Sequence, residues 1–525
     1  MSGRLLTKSR VWLCGWLVSC LLCNRAMRAE DLFEIQVVDR ATGRGVSLVE
    51  LTTVDDVTWV TDSAGYVALR EPQLLGQTIF LKVTSPGYAV DRDGFGIAGV
   101  RLTLGAGEPQ RIELTRLNHA ERLYRITGRD RYLDSQRLGK AVPAGVPEEQ
   151  GRVVGQDSVQ TAVYRDRLYW FWGDTNQLTY PLGLFRTAGA VSGLPGAAGM
   201  DPGRDPGLRY FVGENGFARA MVEVANREGV VWIQGVSVVR DDRGEPRMVC
   251  QYSRRRGLSE PLEQGHMVWN DARELFEVLE TLPLEETWRQ IAGHPVLVED
   301  GGQPYLYFGN PFLVTRVPAT LSALQDRESY ESWTCVRQTA GREVGAGREE
   351  ELERDASGRL IWGWKKAPPV TQRDEQRWLK AGRIRPDELR FFPEDAGRPG
   401  QRVLMHAGTV SWNAWRKKWV MIANAEAWEK DSPSYLGEVY YAEAEAAQGP
   451  FRRAIKIATH PGQSFYNPCH HAEFDEMGGR VLYFEGTYTN TFTQSPATPR
   501  YNYNQLMYRL DLSGAWLGEV RAGKE

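Results

Sequence analysis

From residue 31 onward the chain is written in short apolar runs broken by polar turns, with almost none of the three-and-four spacing that marks an amphipathic helix. Over 31–115 the runs "EIQVVD", "SLVELTTV", "YVALR", "TIFLKVTSPGY" and "RIELTR" alternate apolar with polar residues, and turn signals such as "ATGRG" and "TDSAG" fall between them. That pattern predicts a small all-β sandwich over 30–115. Residues 116–150 are charged and turn-rich, and read as a linker with one short helix around "NHAERLYRI".

Beyond the linker one hairpin pattern recurs. An apolar strand, a polar turn and an aromatic-rich strand ending in a polar residue are found in "VVGQDSVQTAVYRDRLYWFWGDTN", "VVWIQGVSVVRDDRGEPRMVCQYSR", "AGHPVLVEDGGQPYLYFGNP", "HAGTVSWNAWRKKWVMIANAE" and "NPCHHAEFDEMGGRVLYFEGT". The second strands begin near Leu168, Arg247, Tyr305, Trp419 and Val481, a spacing suited to four-stranded blades of about forty to sixty residues with one insertion. The fold class expected is therefore all-β: a small N-terminal β-sandwich followed by a five-bladed β-propeller over 151–525, with a charged insertion at about 339–400 that reads as a solvated face.

Composition narrows the functional classes. The 525 residues are 42% hydrophobic and 25% charged, as in an ordered globular protein. Lys and Arg (64) nearly balance Asp and Glu (67) with no long basic block, which argues against a nucleic-acid partner. At the N-terminus, Arg4, Lys8 and Arg10 precede an apolar run from Val11 to Cys23, short for a membrane span; residues 1–29 read as a secretory signal peptide, and the chain as secreted or periplasmic. "LVSC" at 17–20 leaves lipid anchoring at Cys20 as a minority alternative. Three of the six cysteines fall in that leader, so Cys20-x-x-Cys23 is discounted as a redox or zinc motif, and Cys250, Cys335 and Cys469 are expected as buried thiols. Gly94, Gly96 and Gly99 spell G-x-G-x-x-G without the strand and helix a dinucleotide site needs.

In a propeller the start of each blade's first strand and the end of its second meet on one rim. Those positions here hold Asp157 and Asp174, Tyr252 and Arg254, His294 and Asn310, His406 and Glu426, and His471 and Glu485. A ring of carboxyls facing across a funnel suits glycosidic cleavage, in which one acid protonates the leaving oxygen and a second carboxylate activates water or attacks the anomeric carbon. Glu485, between aromatic residues and Gly486, is placed for the raised pKa of a general acid. No Ser-His-Asp pattern, G-x-S-x-G elbow, Walker loop or H-E-x-x-H competes. Adjacent strand residues point to opposite faces, so His470 and His471 do not chelate one ion; a metal site on His294, His406 and His471 requires those rings to converge. Tyr488, Tyr501 and Tyr503 are positioned either to stack on sugar rings or to fill the core.

With "GQDS", the five hairpins and "LGEVYYAEAEAAQGPF" at 436–451, the chain resembles the arabinanase and levansucrase superfamily of five-bladed propeller glycosidases. The closing "EGTYTNTF" and "PRYNYNQLMYRLDL" resemble a secreted propeller family of planctomycete-type bacteria, and 30–115 resembles carboxypeptidase-regulatory-like (transthyretin-like) modules. The resemblance covers roughly the last 370 residues and is more specific for fold than for substrate. It implies Asp157 as base or nucleophile, Asp174 as orienting acid, and Glu485 or Glu426 as the proton donor. Asn176, Arg254, His294, Asn310, His406, His471 and Tyr488 are then expected as substrate-binding groups. The expected protein is a secreted glycoside hydrolase acting on a polysaccharide or oligosaccharide without a cofactor, with room for a structural ion in the channel. The alternative is a non-catalytic carbohydrate-binding or cell-surface propeller.

Overall fold

In the computed structural model, residues 32–105, 109–143, 151–184, 186–196, 200–338, 350–427 and 432–518 are described. The expected leader at 1–29, with Cys20, lies outside them. Among the described residues no helix is long and apolar enough to cross a membrane.

The N-terminal runs pair into two four-stranded sheets. In one, Phe33–Asp39 lies between Tyr66–Leu69 and Gln110–Arg116; in the other, Glu50–Thr52 lies between Thr58–Val60 and Thr78–Thr84. Their inward residues, among them Ile35, Val37, Leu51, Leu81 and Ile112, form one buried core, as period-two alternation requires.

The rest is a propeller by its own sheet order. Five antiparallel meanders follow in sequence, with first strands at Gln160–Tyr164, Val230–Arg240, Val296–Asp300, Met405–Asn413 and Ser464–His470. The second strands, Arg167–Trp172, Pro246–Arg256, Gln303–Phe308, Lys418–Ala425 and Val481–Thr489, begin within two residues of the positions read from sequence. First strands of neighbouring blades pack side by side, 160–164 on 230–240 and 405–413 on 464–470. Second strands are sandwiched between blades, so "RLYWFW" is apolar after its first residue and "VLYFEGTYT" is buried at every residue, polar ones included, rather than alternating.

The fifth blade has only three strands of its own, Ser464–His470, Val481–Thr489 and Asn504–Asp511; its fourth is Glu121–Arg125. The expected linker helix is thus a strand that closes the ring, and all five of its residues are buried. "ERLYR" has too few apolar residues to announce a strand, because Arg122 and Arg125 are buried against Tyr88 and Tyr501 rather than exposed. In the charged insertion, Gly363–Lys365 adds a fifth strand to the third blade and Thr371 caps the helix Gln372–Lys380 through a reciprocal capping box. That helix buries Glu375 and Trp378, so the insertion is more than a solvated face. Cys250, Cys335 and Cys469 are buried free thiols.

Candidate functional site

A cavity of about 450 Å³ opens at the rim where first strands begin, lined from all five blades. Asp157 and Asp174 come from the first, Trp232 and Gln234 from the second, His294 and Asn310 from the third, His406 and Tyr435 from the fourth, and Tyr466 and Asn467 from the fifth. Asp157 and Asp174 are its only carboxylates among the described residues.

Asp157 is held by three elements. Its Oδ1 accepts from the Asp174 main-chain N–H (2.9 Å), its Oδ2 accepts from the Tyr466 hydroxyl (3.0 Å), and Tyr503 adds a further side-chain hydrogen bond. Its carbonyl accepts from Gly173 N–H (2.8 Å). A Cβ at Gly173 would stand 2.4 Å from Asp157 Oδ1, so this close approach requires glycine. Burial, then the neighbouring Asp174, pushes the Asp157 carboxyl up to about 6, against the opposing hydrogen bonds from Tyr466 and Tyr503. Burial also raises Asp174, while the Trp232 indole, donating to its Oδ1 at 2.7 Å, holds it down.

Ser158, Asn467, Phe492 and Tyr503, all near Asp157, have φ of 55°, 50°, 68° and 66°. Non-glycine residues rarely sit in the left-handed region, and such strain concentrates at functional sites. Asn467 donates to Ser158 Oγ (2.7 Å), fastening the bulged fifth-blade strand to the turn that carries Asp157.

Across the cavity, His406 Nδ1 lies 3.4 Å from Asn424 Oδ1, and burial depresses the imidazole pKa. Glu426 interacts electrostatically with His406 and accepts the Tyr435 hydroxyl, so it stands next to two lining residues without lining the cavity itself. Deeper in the channel His294 Nδ1 is 3.6 Å from Cys469 Sγ, and burial followed by the neighbouring His471 pushes it down to about 4. Asn310 accepts from Gly408 N–H (3.1 Å), tying the third blade to the fourth.

Glu485 lies elsewhere. Val481–Thr489 is buried throughout and ends at Thr489, so Glu485 sits mid-strand opposite Cys469, below the rim. Its Oε1 is 2.8 Å from His471 Nε2, and both side chains are fully buried. Burial lowers and the bonds to Glu473 and Glu485 raise the His471 pKa; the carboxylates win and hold it at about 9. The first strand starts at Ser464, with a bulge at Asn467, so Tyr466 and Asn467 occupy the rim position expected of His471.

The other candidates separate clearly. Arg254 is buried and ion-paired to Glu263 (2.9 Å), and Tyr252 donates to the same Glu263 (2.7 Å), both inside the second blade. The Tyr488 hydroxyl meets Thr498 Oγ1 (2.9 Å) in the core. Asn176 pairs with Gly155 in a small three-stranded sheet and does not line the cavity. His294 and His406 line it while His471 lies below, and among the described residues no group of three His, Cys, Asp or Glu is placed to hold a metal ion. The sequence gives no local Ser-His-Asp pattern, yet the fold assembles one: Ser411 Oγ is 2.7 Å from His470 Nδ1, and His470 Nε2 is 2.8 Å from Asp475. It bridges the fourth and fifth blades, outside the cavity.

Trp232, Tyr435, Tyr466 and Phe492 also line the cavity, none of them among the residues expected from the sequence. Tyr466 immediately precedes the hairpin that begins at Asn467, and Trp232 is the third residue of the strand Val230–Arg240, near its rim end.

No family model and no curated protein matches the sequence. Solved structures similar to it include an exo-1,5-alpha-L-arabinanase from a bovine ruminal metagenomic library (12% identity, 68% of this chain and 93% of that one, TM-score 0.33). A GH43_1 enzyme from Xanthomonas citri complexed with xylotriose aligns at 11% identity over 68% and 87%, TM-score 0.32. The alpha-L-arabinanase of Cellvibrio cellulosa aligns at 10% over 67% and 90%, TM-score 0.34. The five-bladed assignment rests on the sheet order described above.

Proposed function

We propose that the rim cavity hydrolyses glycosidic bonds, with Asp157 as its base or nucleophile. The observation that carries this reading is the carboxyl of Asp157, facing the cavity with its pKa raised to about 6 and oriented by two tyrosines and a main-chain N–H. A base poised near neutrality accepts a proton from water efficiently while remaining largely ionised at pH 7. Asp174 sets its charge environment, Trp232 orients Asp174, and aromatic Phe492 and Tyr435 supply surfaces for a sugar ring. The proton donor is assigned to Glu426, on the fourth-blade side of the cavity beside His406 and Tyr435, in place of Glu485.

One observation favours a second reading, a non-catalytic carbohydrate-binding propeller: both carboxylates that line the cavity come from the first blade. A secreted protein with a carboxypeptidase-regulatory-like module fits either reading.

Release of reducing ends from a panel of plant, algal and bacterial polysaccharides, by the protein and by its Glu426→Gln and Glu485→Gln variants, tests the assignment. Release abolished in Glu426→Gln and kept by folded Glu485→Gln supports it. No release from any polysaccharide, with binding to some of them, favours the second reading.

A further inference from the structure

A second cavity, of about 220 Å³, lies at the other end of the first blade. Arg167 opens the strand Arg167–Trp172, whereas Asp174 follows its end, so this cavity and the rim cavity occupy opposite ends of the same strand. Register places its floor: Tyr169 pairs with Val191, and Val191 with Arg209, so the three stand in line across adjacent strands. Phe211 stacks beside Tyr169 with ring centroids 6.4 Å apart.

Tyr210 and Glu274, which line this cavity, are partnered, the Tyr210 hydroxyl donating to Gln156 Oε1 at 2.6 Å, but three other polar groups are not. Arg167 and Arg209 are exposed, and neither makes a hydrogen bond or ion pair with a described residue; the Tyr169 hydroxyl has no such hydrogen-bond partner either. The nearby carboxylates are matched. Glu274, which also lines the cavity, is 3.6 Å from Arg219, and Asp271 is 2.7 Å from Arg165. Arg219 in turn lies over Phe211, 5.6 Å from its centroid. Two uncompensated guanidinium groups and a hydroxyl therefore converge on one concavity with an aromatic wall, in a chain whose formal charge is −3.

We propose that this cavity binds an oxyanion substituent, a carboxylate or sulfate ester, on a sugar unit of an acidic polysaccharide. Guanidinium forks match the planar geometry of a carboxylate and the oxygens of a sulfate, and Tyr169 and Phe211 offer an apolar edge to the ring that bears them. The glycan identity rests on the carbohydrate reading of the rim cavity; the oxyanion site stands on its own groups. A chain held here would be gripped on the face opposite the rim cavity, at a separate point of attachment.

The test is calorimetric titration of the full chain with trigalacturonate, a sulfated trisaccharide, maltotriose and inorganic sulfate, repeated with Arg167→Gln/Arg209→Gln, Tyr169→Phe and Asp157→Asn. The two arginines are exposed, so their replacement leaves the core intact. The proposal predicts that one or both acidic trisaccharides bind, with affinity falling at least about tenfold in the double arginine variant, weakening with added salt, and unaltered in Asp157→Asn. Which acidic trisaccharide binds distinguishes carboxylate from sulfate. Acidic-sugar affinity unaltered in the double variant overturns the proposal, as does equal binding of maltotriose. Inorganic sulfate binding as tightly as either trisaccharide overturns the glycan part and leaves a free-oxyanion site. Loss only in Asp157→Asn would assign the binding to the rim cavity instead.

Discussion

The Tyr466 hydroxyl, carried on the fifth blade, donates to Asp157 Oδ2 on the first at 3.0 Å, so the carboxyl at the head of the ring is oriented by its last blade. This bond favours the ionised carboxylate against the burial that opposes it. A base must be ionised to act, so kcat/KM is expected to rise with pH through about 6. Tyr466→Phe removes a donor to a charged group, a contribution of about 1.5–3 kcal/mol in general, and one pKa unit is about 1.4 kcal/mol. The acid limb of the pH–rate profile should therefore move upward by about one unit or more, which a profile between pH 4 and 9 would measure.

The same carboxyl should lower stability as it ionises. A folded-state pKa raised above the ordinary carboxylate value stabilises the protein only while the group is protonated, and that contribution fades as pH rises from about 4 through about 6. Asp157→Asn is thus predicted to melt higher than the parent at pH 7.5, with the difference shrinking toward pH 4. Thermal denaturation of both proteins across that range checks the sign; a constant difference would mean that Asp157 is ionised throughout.

Gly173→Ala is expected to abolish activity in a folded protein. The added methyl group would stand 2.4 Å from Asp157 Oδ1 while the nearest Asp157 main-chain atom is 3.6 Å away, so the carboxyl is displaced before the sheet is. Circular dichroism unchanged beside kcat/KM reduced by at least about a hundredfold is the predicted outcome.

Glu485→Gln should act on stability. Breaking a fully buried pair leaves His471 only the longer contact to Glu473, at 3.6 Å, and costs about 3–5 kcal/mol. Because the folded His471 pKa is raised to about 9, the stabilisation it brings is present below the ordinary histidine pKa and is lost as pH climbs through about 9. The parent should therefore lose more stability between pH 7 and 9.5 than Glu485→Gln does. Denaturant unfolding at both pH values measures this, while kcat/KM per folded molecule should stay within about tenfold.

The architecture was legible because it is repetitive. Five copies of one hairpin define the second-strand starts to within two residues, and period two defines the sandwich. What failed were positions where burial contradicts residue type. Glu121–Arg125 closes the ring with two buried arginines, and charge made it look like linker. Glu485 stands in a strand buried on both sides, and a carboxyl among aromatics looked like a rim acid when it is half of a core ion pair. Asp157 and Asp174 were placed at the rim because turn composition marks strand ends reliably. Tyr466 was invisible because the bulge at Asn467 shifts the register of its strand, and no local signal announces a bulge of that kind.

The most direct test of the central claim compares turnover with binding in Asp157→Asn, using an oligosaccharide that the parent cleaves. If Asp157 is the base or nucleophile, kcat falls by about a hundredfold to ten-thousandfold while the dissociation constant changes little, since Asn keeps the shape and most hydrogen bonds of the carboxyl. Turnover at the parental rate by a folded Asp157→Asn would contradict the account.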